Sequence, residues 1–224
     1  MAVRTGAEAR RWAESTLRSA ISRGDVVPGQ RLIEEELAAE YDVTRSSLRQ
    51  AIDTLVGEGL VERVKNRGAR VRQLTVSDAV EITECRAVVE GLLARKAAER
   101  ADDDDVDRLR AHVSLMKESL KAGDLVVYST RISGLYDLIH SVARHPNAIE
   151  LVERLQAQLV RQQFRLSLRP GRPEQSLAEL SSVVDSIRAH RPKDAEDMMR
   201  DHLQRVATIL ADESDPDLGR VHSA

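Results

Sequence analysis

At 224 residues, 42% of them hydrophobic and 32% charged, the chain is long enough for one large domain or two small ones with a real core, and its composition excludes a disordered polypeptide. Only 2% of residues are aromatic, and the abundance of Ala, Leu, Arg and Glu favours helices over a sheet sandwich. The net charge of −3 argues weakly against nucleic acid, but it is uneven: the first 75 residues carry 13 Lys and Arg against 11 Asp and Glu, the rest 21 against 26. One cysteine excludes an internal disulfide framework, and the lack of a long apolar run or a signal-peptide pattern leads to the expectation of a cytoplasmic protein without membrane contact.

The first helix is predicted over 9–23, where Ala9, Ala13, Leu17, Ala20 and Ile21 recur at helical spacing with Trp12 alongside. Gly24 ends it and Pro28-Gly29 turns the chain. A short helix from Ile33 to Tyr41 buries Leu37, Ala38 and Tyr41. A third, from Thr44 to Glu58, turns Leu48, Ile52, Leu55 and Val56 inward. Gly59 breaks it. Residues 60–64 then read as a strand, Asn66-Arg67-Gly68 as a hairpin tip and residues 69–72 as the returning strand. Three helices followed by a two-stranded wing make a winged helix-turn-helix over residues 1–74.

Beyond Ser77 the pattern is helical throughout. Helices are expected near 78–100, 103–121, 124–144, 147–168, 175–190 and 192–213, a bundle of six or seven helices over residues 75–215, with 216–224 as a loose tail. The fold class is therefore mainly α. Cys85 sits in an apolar helical pattern and is expected to be a small buried hydrophobe. The acidic run Asp102–Asp105 stands where a helix begins, so capping explains it better than an acidic binding patch.

The third helix carries the chemistry. With Thr44 as its N-cap, Arg45 falls in the first turn, where a cation is unfavourable against the helix dipole, and Arg45, Ser46 and Arg49 lie opposite Leu48 and Ile52. A solvated polar face would look the same. Its place after a short helix and a tight turn is that of a recognition helix, whose first residues reach base edges and phosphates in the major groove. Guanidinium forks match guanine and hydroxyls match phosphate oxygens. The candidate DNA-binding residues are Thr44, Arg45, Ser46, Ser47 and Arg49, with Asn66, Arg67 and Gly68 at the wing tip.

The stretch Gly24–Leu32, with Glu34, Leu37-Ala38, Val43–Ala51, Leu55, Glu58–Val61 and Arg67–Ala69, resembles the DNA-binding domain of the GntR family across residues 10–73. That resemblance implies a homodimer on a short inverted repeat, Arg45, Arg49 and neighbouring hydroxyls reading double-stranded DNA, and a wing in the minor groove. Glu35 departs from it, since relatives often carry a basic residue there near a phosphate.

The remainder resembles the FCD ligand-sensing bundle of the FadR subfamily over 78–210, through Arg86-x-x-Val89-Glu90, Leu135-Tyr136 before His145-Pro146, and Glu179-Leu180, Ala195, Met199 and His202-Leu203. Many members of that group hold a divalent metal with one Asp and three His. The matching positions here are Ile132, Tyr136, Leu180 and His202, of which only His202 is a ready ligand, so no cofactor or metal is expected. His140 and His145 are five apart and do not converge, and His190 is expected to face solvent at a helix end. The substitutions at the matching positions make the expected cavity more apolar and leave Arg86, Tyr136 and His202 as its polar groups. That suits a small-molecule effector with an apolar body and a carboxylate for Arg86 to grip. The same fold with a filled, ligand-free helical domain is the alternative. An all-helical hydrolase is remote, because no nucleophile–base pair or cluster of metal ligands is visible; the chain is not expected to be an enzyme. The reading is a ligand-responsive transcription regulator, expected to repress.

Overall fold

A computed structural model describes residues 4–65 and 68–212. The chain divides into two compact units, Met1–Leu74 and Thr75–Ala224.

In the first unit α1 (Gly6–Arg23), α2 (Glu34–Glu40) and α3 (Arg45–Gly57) precede the strands β2 (Val61–Val64) and β3 (Gly68–Val71). The predicted apolar stripe of α1 is buried and packs on α3, whose Leu48, Ile52 and Leu55 are wholly inaccessible. Burying each such side chain contributes about 1.5–3 kcal/mol. The β2–β3 hairpin pairs Val61 with Val71 and Val64 with Gly68. Its fold is richer than a two-stranded wing, because β1 (Arg31–Leu32) adds a third antiparallel strand against β3 in the order β1-β3-β2. Two residues carry too little periodicity to be read as a strand; pairing with β3 defines it, and Leu32 enters the core. Gly68 opens β3 at φ +83, a left-handed conformation that a side chain would strain.

The second unit is a bundle of six helices among the described residues: α4 (Val76–Arg100), α5 (Asp103–Lys121), α6 (Leu125–Ala143), α7 (Pro146–Ser167), α8 (Arg172–Arg188) and α9 (Pro192–Ala211). α4 is the helix against which α6, α7, α8 and α9 all pack. A capping box starts it, the Thr75 hydroxyl accepting from the Asp78 amide while the Asp78 carboxylate accepts from that of Thr75. Asp102 caps α5 by accepting from the Asp105 amide, and Asp105 itself is buried beside Arg144, so the acidic run is structural.

Gly91 sits where α4 packs on α9. A Cβ there would stand 2.6 Å from Cγ of Arg200 and 3.3 Å from the carbonyl of Glu196, so this interior glycine is a packing requirement. Cys85 corrects the expectation of a buried thiol. Thr83, Arg86, Ala87 and Glu90 take the inner face of α4, and Cys85, between them in sequence, is turned outward beside exposed Val88. His190 is exposed at φ +50, but its Nδ1 bonds the Ala98 carbonyl at 3.0 Å. The expected tail lies outside the described residues.

Candidate nucleic-acid interface and buried cavity

The start of α3 follows from its cap. The Thr44 hydroxyl accepts from the Ser47 amide at 3.1 Å and donates to the Ser47 hydroxyl at 2.9 Å. This satisfies an amide that the helix leaves unpaired, and it fixes the first turn so that Arg45, Ser46 and Arg49 point outward. Ser47 is buried, its hydroxyl is engaged by Thr44, and it lies away from the exposed set. Gly68 is exposed at the base of the wing tip. Asn66 and Arg67 lie outside the described residues.

The exposed arginines are already engaged by acids from α2. Arg45 forms an ion pair with Glu35. The guanidinium of Arg49 donates to Glu34 Oε2 through Nε at 3.0 Å, with Nη2 also 3.0 Å away. The other Glu34 oxygen accepts from Arg63 on β2 at 3.0 Å, and Arg63 in turn donates to Asp53 on α3 at 2.6 Å. Partial burial pushes the Glu34 carboxyl up, but the bonds from Arg63 and Arg49 prevail and hold it below the usual carboxylate range. The chain Arg49–Glu34–Arg63–Asp53 thus ties α2, α3 and the root of the wing together on one face. Sequence reading located both arginines and noted Glu35, but not these partners, which stand 10 to 29 residues away.

The second unit encloses a cavity of about 50 Å³. A water needs roughly 10–15 Å³ of such space, so a few waters or a small ligand group would fill it. Arg86 of α4, Tyr136 of α6 and His202 of α9 all line it, joined by Thr83, Tyr128, Ile132, Ser176 and, from α7, Leu159 and Leu166. Arg172 at the start of α8 completes the wall, and sequence reading missed it; its only signal was an arginine beside Pro173 at a helix start.

Two buried ion chains flank the cavity. Arg86 Nη2 lies 3.3 Å from Glu90 Oε1, while His140 Nε2 donates to Glu90 Oε2 at 2.8 Å. Arg172 lies 3.2 and 3.1 Å from the two oxygens of Glu179, and His202 Nδ1 donates to the same carboxylate at 2.6 Å. Burial alone would raise Glu179, yet its bonds with His202 and Arg172 bring it down to about 2. His202 is lowered, chiefly because burial disfavours the charged ring. Burial likewise raises the Tyr136 phenol, so its hydroxyl keeps its proton. The Arg86 guanidinium stacks over the Tyr136 ring at 5.4 Å, and its Nε has no hydrogen-bond partner. Arg86 is therefore not an unengaged anion grip; Glu90 already holds one side of it.

These residues do not suit a metal. Ile132 and Leu180 have no donor atom and the Tyr136 phenol is neutral, which leaves His202 as a single ligand, too few to hold an ion. Among the described residues no three His, Cys, Asp or Glu side chains are grouped to hold an ion. None of the described helices is long and apolar enough to cross a membrane.

Comparison with known proteins places both units. Residues 11–71 match the family model described as bacterial regulatory proteins, gntR family, and residues 81–205 match the FCD domain. The Nta operon transcriptional regulator of Aminobacter aminovorans is 35% identical over 101 residues, which is 44% of this chain and about half (48%) of that protein. The gluconate operon transcriptional repressor of Bacillus licheniformis is 27% identical over 188 residues, covering 82% of this chain and 76% of that one. Among solved structures, E. coli McbR/YncC superposes with a TM-score of 0.75 at 18% identity over 91% of this chain and 97% of its own, so the two share a fold.

Proposed function

From a chain that belongs to the gntR family of bacterial regulatory proteins and carries an FCD domain as its second unit, we propose a homodimeric repressor that reads an inverted-repeat operator and is tuned by a small metabolite. It is a DNA-binding transcription regulator and not an enzyme. The observation that carries the reading is the exposed face of α3, where Arg45, Ser46 and Arg49 emerge from a turn fixed by Thr44. A winged helix of this size touches few base pairs, and a two-fold dimer on a two-fold site supplies the specificity that one unit lacks. The repressor reading rests on relatives named as repressors. Gly68 places backbone without a side chain at the wing, as an approach to a groove requires.

The effector site is the cavity around Arg86, Tyr136, Arg172 and His202. Its wall is mostly apolar with a few inward polar groups, the pattern of a small-molecule site. A short carboxylic acid suits it, Arg86 Nε being a donor that Glu90 does not use. Occupation would favour one spacing of the two DNA-reading heads. The second reading, a ligand-free packed domain, draws on the small cavity and on the internal pairing of both arginines.

Enriching duplexes from a random-sequence pool with the full chain tests the first claim. Recovery of an inverted repeat is expected; enrichment of no sequence would refute it. A thermal-shift series with short mono- and dicarboxylates, repeated with the enriched duplex present, separates the two readings of the second unit. A shift that tracks with altered DNA affinity supports the effector site, whereas no shift with any acid supports the packed domain.

A further inference from the structure

The side chains that should meet DNA do not stand free. Arg45 and Glu35 form an ion pair between groups that are 62% and 74% exposed, and Arg49 rests on Glu34 at 3.0 Å. Both acids come from the first turn of α2, packed beside the start of α3. The Arg45–Glu35 pair, exposed on both sides, is of the weak kind that exchanges readily, whereas Glu34 is partly buried. The core of the unit lies on the opposite faces of these helices. Yet the acids stand where a DNA surface would lie.

We infer that Glu34 and Glu35 are specificity determinants, which direct Arg45 and Arg49 toward base edges by opposing their contact with phosphates. The inference rests on the DNA-binding reading of α3. A phosphate is an anion, so a carboxylate beside the arginine repels it and competes for the same donors. The major-groove edge of guanine offers O6 and N7 as neutral acceptors and meets no such repulsion. Sequence-independent affinity comes from phosphate neutralisation and counterion release, and internal pairing removes two cations from that pool. The acids therefore depress binding to arbitrary DNA more than binding to the operator. Glu34 has a further part, since its second oxygen holds Arg63 and so aligns the wing root with α3. Glu35 is ion-paired with Arg45 alone among the described residues and isolates the electrostatic effect.

The test compares Glu35→Gln with Glu36→Gln, an equal change in charge at an exposed acid of the same helix that forms no ion pair among the described residues. Fluorescence anisotropy would follow two duplexes, one enriched by the wild-type chain and one of random sequence, across a salt titration. Glu35→Gln should raise affinity for random DNA on the order of tenfold and for the enriched duplex by less than about threefold, with a steeper salt dependence by about 0.9 for each phosphate gained. Glu36→Gln should move both duplexes by one small common factor. In an Arg45→Ala background, Glu35→Gln should act like Glu36→Gln. Equal gains on both duplexes, or the same behaviour for Glu35→Gln and Glu36→Gln, overturn the inference while leaving the recognition helix in place. A wild-type chain that enriches no duplex defeats both.

Discussion

Arg49 and Arg86 each face a glutamate, Glu34 in one unit and Glu90 in the other, but the arginine side chains are 64% and 5% exposed. The difference in solvent decides what each pair can do. On the surface of the first unit, water and salt screen the attraction, and such a pair contributes only about 0–1 kcal/mol, so its arginine can be exchanged to a new partner cheaply. Inside the second unit, neither partner can return to water without unfolding. Removing one member there strands a buried charge, at a cost of about 3–5 kcal/mol. The surface network is therefore available for binding, whereas the buried chains Arg86–Glu90–His140 and Arg172–Glu179–His202 shape a cavity and hold its helices.

The contrast breaks most easily at Glu179. Glu179→Leu strands Arg172 and His202 and should lower the stability of the second unit by about 3–5 kcal/mol, read from urea unfolding followed by helical circular dichroism; a loss below about 1 kcal/mol would put this pair in the same class as the surface ones. Acid should act next. Burial lowers His202 below its ordinary value of 6.5, so the unfolded chain binds protons that the folded chain refuses, and stability falls as pH drops through that range. The slope is at most about 1.4 kcal/mol per pH unit for one proton. Glu179, held at about 2 against an ordinary 4.5, extends the loss at lower pH. His202→Gln should flatten the first phase; an unchanged pH profile would show that another group carries it. The smallest effect belongs to the surface: Arg49→Ala should change stability by less than about 1 kcal/mol, with Trp12 fluorescence reporting the first unit. A larger loss would mean that the Arg49–Glu34–Arg63–Asp53 chain holds the wing in place.

What the sequence made legible divides along similar lines. Local features were readable, because helical periodicity and caps depend on residues three or four apart: the stripe of α1, the Thr44 cap and the capping role of Asp102 all came from such spacing. Features set by distant pairing were not. β1 exists only through β3, and Glu90 meets His140 50 residues away. Arg172 reaches the cavity because the turn before α8 delivers it there. Cys85 was misplaced for a subtler reason. It sits at a helix position where a shift of one residue, about 100°, turns a side chain from one face to another, and it is neither large nor charged enough to fix the phase.

The central claim is that the exposed start of α3 reads sequence, and it is tested most directly by the affinity of Arg45→Ala and Arg49→Ala for the enriched duplex and for random DNA. Losing a bidentate base contact should cost about 1–3 kcal/mol on the enriched duplex, or roughly 5- to 150-fold, with a much smaller change on random DNA. Unchanged affinity for the enriched duplex in both variants would contradict the account.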